Sequence, residues 1–494
     1  MEMNNRSSLK INMILNAIKG IMGILFPLIS FPYVSKILGV VNLGKYNFSS
    51  SVINYFILFA GLGISTYAIR EGAKIRENPL ILKKFSAEMF SINILSTLVS
   101  YALLIIFYCI SSKLHGYRSL LFILSMQILF KTIGVEWIYS IFEDYLYITI
   151  RSILFQFVSL ACLLIFVRTD SDVNKYAIIT VFAVAGANIL NYMHSKRYCK
   201  FRVTKKLNLK RHIRPILILF AMSVTVTIYV SSDITILGYL CSDETVGLYS
   251  VSTKVYSIIK TILSSILVVS IPRLSAMLGN GARTDFDRTA SDIYQTLITI
   301  VLPAITGIIL VSEDIVLLLS DETYIEASPS LRLLGIALFF CLGAWFWGQC
   351  ILVPLKMETV VFRVTVVSAI VNIVLNIILI PFWKEEAAAF TTILAEGISF
   401  FWCSIQGRKH TKLSGIGRTY RKVGIGCVVI AVIAYFIKIA ISSLYLRLIS
   451  TVSVTGIMYF GIEIVLKNEA ISDIFIAAKG KFKKNKKRNI GGLS

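Results

Sequence analysis

From Ile11 onward the chain alternates long, mostly apolar runs with short polar turns. A membrane-crossing helix needs about 20 mostly apolar residues. Runs of that kind lie at 11–36, 46–69, 86–111, 119–141, 149–168, 175–194, 215–240, 249–271, 293–318, 331–354, 364–382, 387–406, 423–442 and 447–466. The pattern therefore predicts an all-α polytopic membrane protein with about fourteen transmembrane helices and no soluble domain. The first run continues to about Ile37 without a small-residue cleavage site, too long for the ~7–15-residue apolar stretch of a signal peptide, and is read as the first span.

The polar turns give the orientation. Cytoplasmic segments of a polytopic protein are enriched in Lys and Arg. Alternate turns here are strongly basic: 70–85, 195–214, 407–422 and the tail from Lys479 to Arg488. The turns between them are acidic or nearly neutral, as at Asp243 and Glu244, at Asp321, Glu322 and Glu326, and at Lys384, Glu385 and Glu386. Fourteen spans with both termini cytoplasmic satisfy that asymmetry.

A short repeat divides the chain. Ile37-Leu38-Gly39, a polar turn and then Gly44-Lys45-Tyr46-Asn47-Phe48-Ser49 recur as Ile236-Leu237-Gly238 followed by Gly247-Leu248-Tyr249-Ser250-Val251-Ser252. The expected organisation is an N-terminal six-helix lobe at 1–194, a basic cytoplasmic linker at 195–214 and a C-terminal six-helix lobe at 215–406. Helices thirteen and fourteen (407–466) and a basic tail (467–494) follow. Parallel repeats of this kind occur in alternating-access transporters, which bind cargo near the midplane.

Composition removes the other classes. The chain is 56% hydrophobic and 16% charged, with mean hydropathy +0.76; soluble domains carry roughly 25% charged residues. The net charge of +23 resides in the basic turns, and aromatics interleaved with Arg and Lys are absent, so nucleic acid is not the expected partner. The eight cysteines fall mostly in apolar runs without a CxxC pair, which points to neither a disulfide framework nor a zinc site. The four histidines have no nearby nucleophile or paired carboxylate, and there is no phosphate-binding Gly-x-x-x-x-Gly-Lys-Ser/Thr loop. The expectation is a non-enzyme without cofactor or metal.

Ionisable residues inside spans are costly and are functional candidates by default. Lys19, Lys131, Lys260, Glu136 and Glu396 are nearest mid-span, while Arg332, Lys254 and Lys438 are close enough to a helix end to snorkel. Lys260 belongs to a polar stripe of Thr253, Ser257, Thr261 and Ser264, and Lys19 to one of Asn12, Asn16 and Gly23 ahead of Pro27. Lys19, Lys131 and Lys260 are read as substrate contacts for an anionic cargo, against the alternative that each only glues helices through a carboxylate or carbonyl. Asp233 and Glu396 are read as carriers of a proton or sodium ion, against a structural pairing with Lys or hydroxyls. Arg70 and Glu71, where the second helix meets the cytosol, are read as an inner gate, against an ordinary solvated pair.

Four stretches carry a family resemblance: Phe31-Pro32-Tyr33-Val34-Ser35-Lys36-Ile37-Leu38-Gly39; Leu62-Gly63-Ile64-Ser65-Thr66-Tyr67-Ala68-Ile69-Arg70-Glu71-Gly72-Ala73; Glu136-Trp137 followed by Glu143-Asp144-Tyr145; and Ser232-Asp233 leading to Leu237-Gly238-Tyr239. They resemble the polysaccharide flippases of the multidrug/oligosaccharidyl-lipid/polysaccharide exporter superfamily, over most of the chain and most strongly in the first 150 residues and in 225–280. The resemblance implies a MATE-like parallel repeat of two six-helix lobes plus two C-terminal helices. It further implies a bacterial inner-membrane protein that moves undecaprenyl-pyrophosphate-linked oligosaccharide repeat units to the periplasmic leaflet, driven by an ion gradient, with a polysaccharide polymerase as a partner. Mid-span lysines suit a lipid pyrophosphate. A drug exporter of the same superfamily would favour carboxylates, and a membrane polymerase or ligase would need a larger outer loop.

Overall fold

The computed structural model of the protein describes residues 2–204 and 207–471, and for residues 2–14, 16, 17, 226, 229 and 230 the backbone only. The side chains of Asn12 and Asn16, the linker residues Lys205 and Lys206, and the basic tail from Lys479 to Arg488 lie outside the described residues. The helices run α1 Glu2–Gly61, α2 Ile64–Ala73, α3 Pro79–Ile110, α4 Ser112–His115, α5 Arg118–Ile133, α6 Trp137–Ile141, α7 Tyr145–Phe166 and α8 Val173–Ser195. They continue with α9 Leu209–Leu240, α10 Asp243–Gly279, α11 Arg283–Leu319, α12 Ala327–Trp345, α13 Glu358–Arg408, α14 Ile416–Ala440 and α15 Leu444–Val465. Among the described residues there is no strand, and eleven helices are long and apolar enough to cross a membrane. In lipid each backbone polar group has to be satisfied within its own segment, so long apolar runs fold as helices.

Every expected span falls on a helix, but not one to one. The first runs into the second in α1, which kinks at Gly39 (φ 70°), the second then continues past Gly63 into α2, and the eleventh and twelfth run together in α13, which kinks at Lys384 (φ 47°). Glycine enters positive φ without a Cβ clash; lysine does so at a cost of about 1–2 kcal/mol. The expected span 119–141 is broken, with α5 ending before Gly134 and α6 beginning at Trp137. The span 331–354 passes from α12 into a π-helical stretch, Phe346–Leu352.

The chain forms two compact units: residues 1–250 with 380–384, and residues 251–379 with 385–494. In the first, α1 packs on α3, α5, α7 and α9, and α5 lies along α8. Thr149 donates to the Leu15 carbonyl at 3.3 Å and Phe26 meets Phe157 edge-on at 4.9 Å, fastening α7 to α1. The two copies of the repeat touch here. A Cβ on Gly44 would overlap the Asp243 carbonyl, and one on Gly247 would overlap the Val40 carbonyl, so each glycine is required by the backbone of the other copy. In the second unit α11 packs on α12, α14 and α15. The two arms of α13 are joined by buried hydrogen bonds in which Asn372 donates to Thr391 (3.4 Å) and Ser399 to Ser368 (2.8 Å), while Asn376 supports Asn372 from within the first arm (3.2 Å). Such interhelical hydrogen bonds contribute about 0.6–2 kcal/mol each in a membrane.

Candidate functional site: mid-helix charge pairs

In the first unit the break between α5 and α6 places a carboxylate. Gly134 is needed because a Cβ there would overlap the Asn188 side chain, and the buried Val135 takes φ 38°, a strained value for a β-branched residue. Glu136 follows. One of its oxygens, Oε1, lies 3.4 Å from Lys19 Nζ on α1 and 3.4 Å from Arg151 Nη2 on α7. Arg151 is buried, with a side chain only 7% exposed, and donates also to the Ala187 carbonyl (3.1 Å) and Ser152 Oγ (3.3 Å). Its Nε has no hydrogen-bond partner among the described residues. Lys19 and Glu136 are far more open. Lys131 is exposed on α5 and joins no ion pair among the described residues.

In the second unit Lys260, near the middle of α10, faces Glu396 on the second arm of α13 at 3.8 Å. The substrate-contact lysine and the ion-carrier carboxylate of the sequence reading are thus partners. The Lys260 ammonium also lies 5.5 Å from the centre of the Tyr256 ring, within cation–π range. The hydroxyls of its stripe turn back on their own helix, Thr261 donating to Ser257 O (2.7 Å), Ser257 to Lys254 O (2.9 Å) and Ser264 to Thr261 O (3.1 Å). Those donors are used, while their oxygens can still accept.

The remaining candidates stand apart from these pairs. Asp233, in the first unit, is buried and accepts from the Tyr249 hydroxyl at 2.9 Å, which joins the end of α9 to the start of α10. Arg70 and Glu71 pair at 2.9 Å, Lys74 shares the same carboxylate at 2.9 Å, and Arg70 is largely exposed. Arg332 and Lys438 do not merely snorkel; both pair with Glu313, at 2.6 and 2.9 Å, beside the Arg447 fork on Asp314.

Two groups escaped the sequence reading. Arg151 sits in the expected span 149–168, where an arginine inside an apolar run was itself the signal. Glu88 on α3 accepts from His212 Nε2 at 2.8 Å while His212 Nδ1 bonds the Tyr67 hydroxyl at 2.8 Å, a buried chain tying the first turn of α9 to α2 and α3. Its signal was Glu88 within the run 86–111.

The resemblance words fall on these structural devices: Gly39 at the α1 kink, Gly63 (φ 71°) before α2, Glu136 at the break, Asp144 capping α7 through Tyr147 N, and Asp233 on Tyr249. The wider comparisons agree. Residues 9–278 match the polysaccharide biosynthesis protein family and residues 218–378 the MatE family. A curated protein of Escherichia coli (strain K12), named "Putative O-antigen transporter", is 24% identical over 278 residues, 56% of this chain. The match spans 66% of that relative's length. The fold is that of the solved lipid II flippase MurJ in its inward closed conformation, with TM-score 0.74 and 15% identity over 94% of this chain and 99% of that one. An inward-facing MATE family multidrug resistance transporter of the MOP superfamily aligns with TM-score 0.50 and 11% identity over 78% of this chain and 99% of that one. The protein is therefore a multi-pass membrane protein with a transporter fold, and since the family match covers more than half of its residues, the chain belongs to the polysaccharide biosynthesis protein family.

Proposed function

We propose that the protein is a flippase that carries undecaprenyl-pyrophosphate-linked oligosaccharide repeat units from the cytoplasmic to the periplasmic leaflet of a bacterial inner membrane by alternating access, for O-antigen, capsular or exopolysaccharide synthesis. Both termini face the cytoplasm, and a polysaccharide polymerase takes the product. The observation that carries this reading is that each unit holds a mid-helix lysine, Lys19 or Lys260, beside a carboxylate at 3.4 or 3.8 Å, long enough for exchange. A pyrophosphate head group crossing a low-dielectric path needs fixed cations along it. Lys131, exposed on the first unit, is the third cation of the path. Asp233 and Glu396 carry the coupling proton or sodium ion, and the Arg70–Glu71 pair opens and closes the inner end.

Deleting the gene and following the lipid-linked repeat unit tests the reading. Repeat units should be made but stay accessible only from the cytosol, and surface polysaccharide should disappear. Units that reach the outer face and remain unpolymerised would show instead a polymerase or ligase. The MatE match at 218–378 favours a cation or drug exporter as the second reading; the cation partners of Glu136 and Glu396 count against it, because a cationic drug needs a carboxylate free of cations.

A further inference from the structure

The ion pairs of the protein fall into two kinds. Charge-assisted hydrogen bonds normally close to about 2.7–2.9 Å. The cluster at the end of α11 does so: Arg332 reaches Glu313 at 2.6 Å, Lys438 reaches it at 2.9 Å, and Arg447 engages Asp314 through Nε and Nη2. These are saturated staples. Glu136 is different. One oxygen is shared between Lys19 and Arg151, each at 3.4 Å, so a single carboxylate stands opposite two cations and is held tightly by neither. Arg151 meanwhile keeps its Nε buried and without an acceptor among the described residues, although its side chain is 7% exposed. A guanidinium binds phosphate best through two N–H groups acting as a fork, and here one prong is unused.

We infer that Lys19 and Arg151 form a phosphate-binding site within the first unit, and that Glu136 occupies it as an internal stand-in for the anion until a phosphate arrives. The cluster carries one net positive charge, which a phosphate-bearing ligand is better matched to neutralise than a single shared carboxylate oxygen. Glu136 is suited to leave because it is held by the strained link at Val135 and is half-exposed, whereas Arg151 is anchored by the Ala187 carbonyl and stays. Arg151 then joins Lys19 as a cation of this unit that touches the head group. The inference rests on the reading of the cargo as a lipid-linked pyrophosphate, and deepens it.

The test uses the full chain in neutral detergent at fixed ionic strength, with inorganic pyrophosphate and farnesyl pyrophosphate as probes. Glu136→Gln removes the competing charge and keeps the shape. It should tighten both probes by about three- to tenfold, following the gain expected when a self-occupied site is freed. Unfolding cannot imitate a gain in affinity. Arg151→Gln should weaken both by about tenfold or more, and Arg151→Lys, which keeps the charge without the fork, should fall between. A farnesyl preference assigns the site to a lipid head group; equal affinities assign it to phosphate alone. Unchanged or weaker binding by Glu136→Gln, or no binding of either probe by the wild-type chain, overturns the inference. If the deletion phenotype stands while Glu136→Gln changes nothing, this site fails and the flippase reading survives.

Discussion

Removing the ammonium of Lys260 separates two roles that share one geometry. At 3.8 Å and an effective dielectric of about 20, the Lys260–Glu396 attraction is ~4 kcal/mol. Lys260 is 28% exposed, which screens the pair, so a coupling of about 1–3 kcal/mol is expected in a double-mutant cycle. Glu396 is only 7% exposed, and Lys260→Ala leaves it an unpaired buried charge at a cost of roughly 3–5 kcal/mol. Lys260→Ala should therefore lower both the amount of folded protein in the membrane and the surface polysaccharide. Adding Glu396→Gln removes the stranded charge and should restore abundance. The polysaccharide is then decisive. If Lys260 meets the travelling pyrophosphate, the double variant is abundant yet less active than the Glu396→Gln single variant, which keeps Lys260 and measures the loss due to Glu396 alone, and Lys260→Arg, which keeps a cation beside Glu396, retains much of the flipping. Full polysaccharide from the Lys260→Ala/Glu396→Gln protein would refute a cargo-binding role and leave the pair as helix glue.

Gly44→Ala and Gly247→Ala each push a methyl group into a backbone carbonyl of the other repeat copy and should cost about 3 kcal/mol, read as a lower melting temperature in detergent with Gly417→Ala, which meets open space, as the unaffected control. His212→Ala leaves Glu88 and the Tyr67 hydroxyl buried without their shared partner and should cost about 2–3 kcal/mol, whereas Arg70→Ala, at an exposed pair, should change the same melting curve by less than about 1 kcal/mol. Reporter fusions after Lys200 should report cytoplasm and fusions after Ser242 periplasm; an outside signal at Lys200 removes the fourteen-span topology.

The helices were legible because a bilayer leaves the backbone no alternative: an apolar run of about 20 residues has to be helical, whatever its neighbours do. What hydropathy could not show is where a helix bends. Gly39 and Gly63 announce their breaks because glycine tolerates positive φ, and both lie in stretches that the sequence singles out. Val135, Glu143 and Lys384 adopt positive φ with no such advertisement; their conformations are imposed by tertiary packing, and a β-branched residue before Glu136 looks like ordinary span. The repeat glycines fall between these cases. Their pattern was visible, but the reason for it, two backbones in mutual contact, appears only when the copies at 37–49 and 236–252 are brought together.

The candidate site was readable residue by residue and unreadable as pairs. Lys19, Lys260 and Glu396 stand out because each is a charge placed where charge is expensive, but sequence position alone gave Lys260 to the cargo and Glu396 to the coupling ion as independent roles. The structure brings them together at 3.8 Å, and does the same for Lys19 with Glu136 at 3.4 Å. That pairing changes what transport requires. A cation already facing a carboxylate cannot accept a phosphate without giving up its partner, so each mid-helix cation must exchange one anion for another. On the proposed function, the released carboxylate then needs a new counter-charge in the same low-dielectric surroundings, the part assigned there to a proton or sodium ion. On the function proposed above, cargo entry and ion entry would be two halves of one exchange at the Lys260–Glu396 pair. Arg151 was overlooked for the complementary reason. Its apolar neighbours dilute one arginine into a weak span, and only the buried, half-used guanidinium beside Glu136 marks it as more than a structural charge.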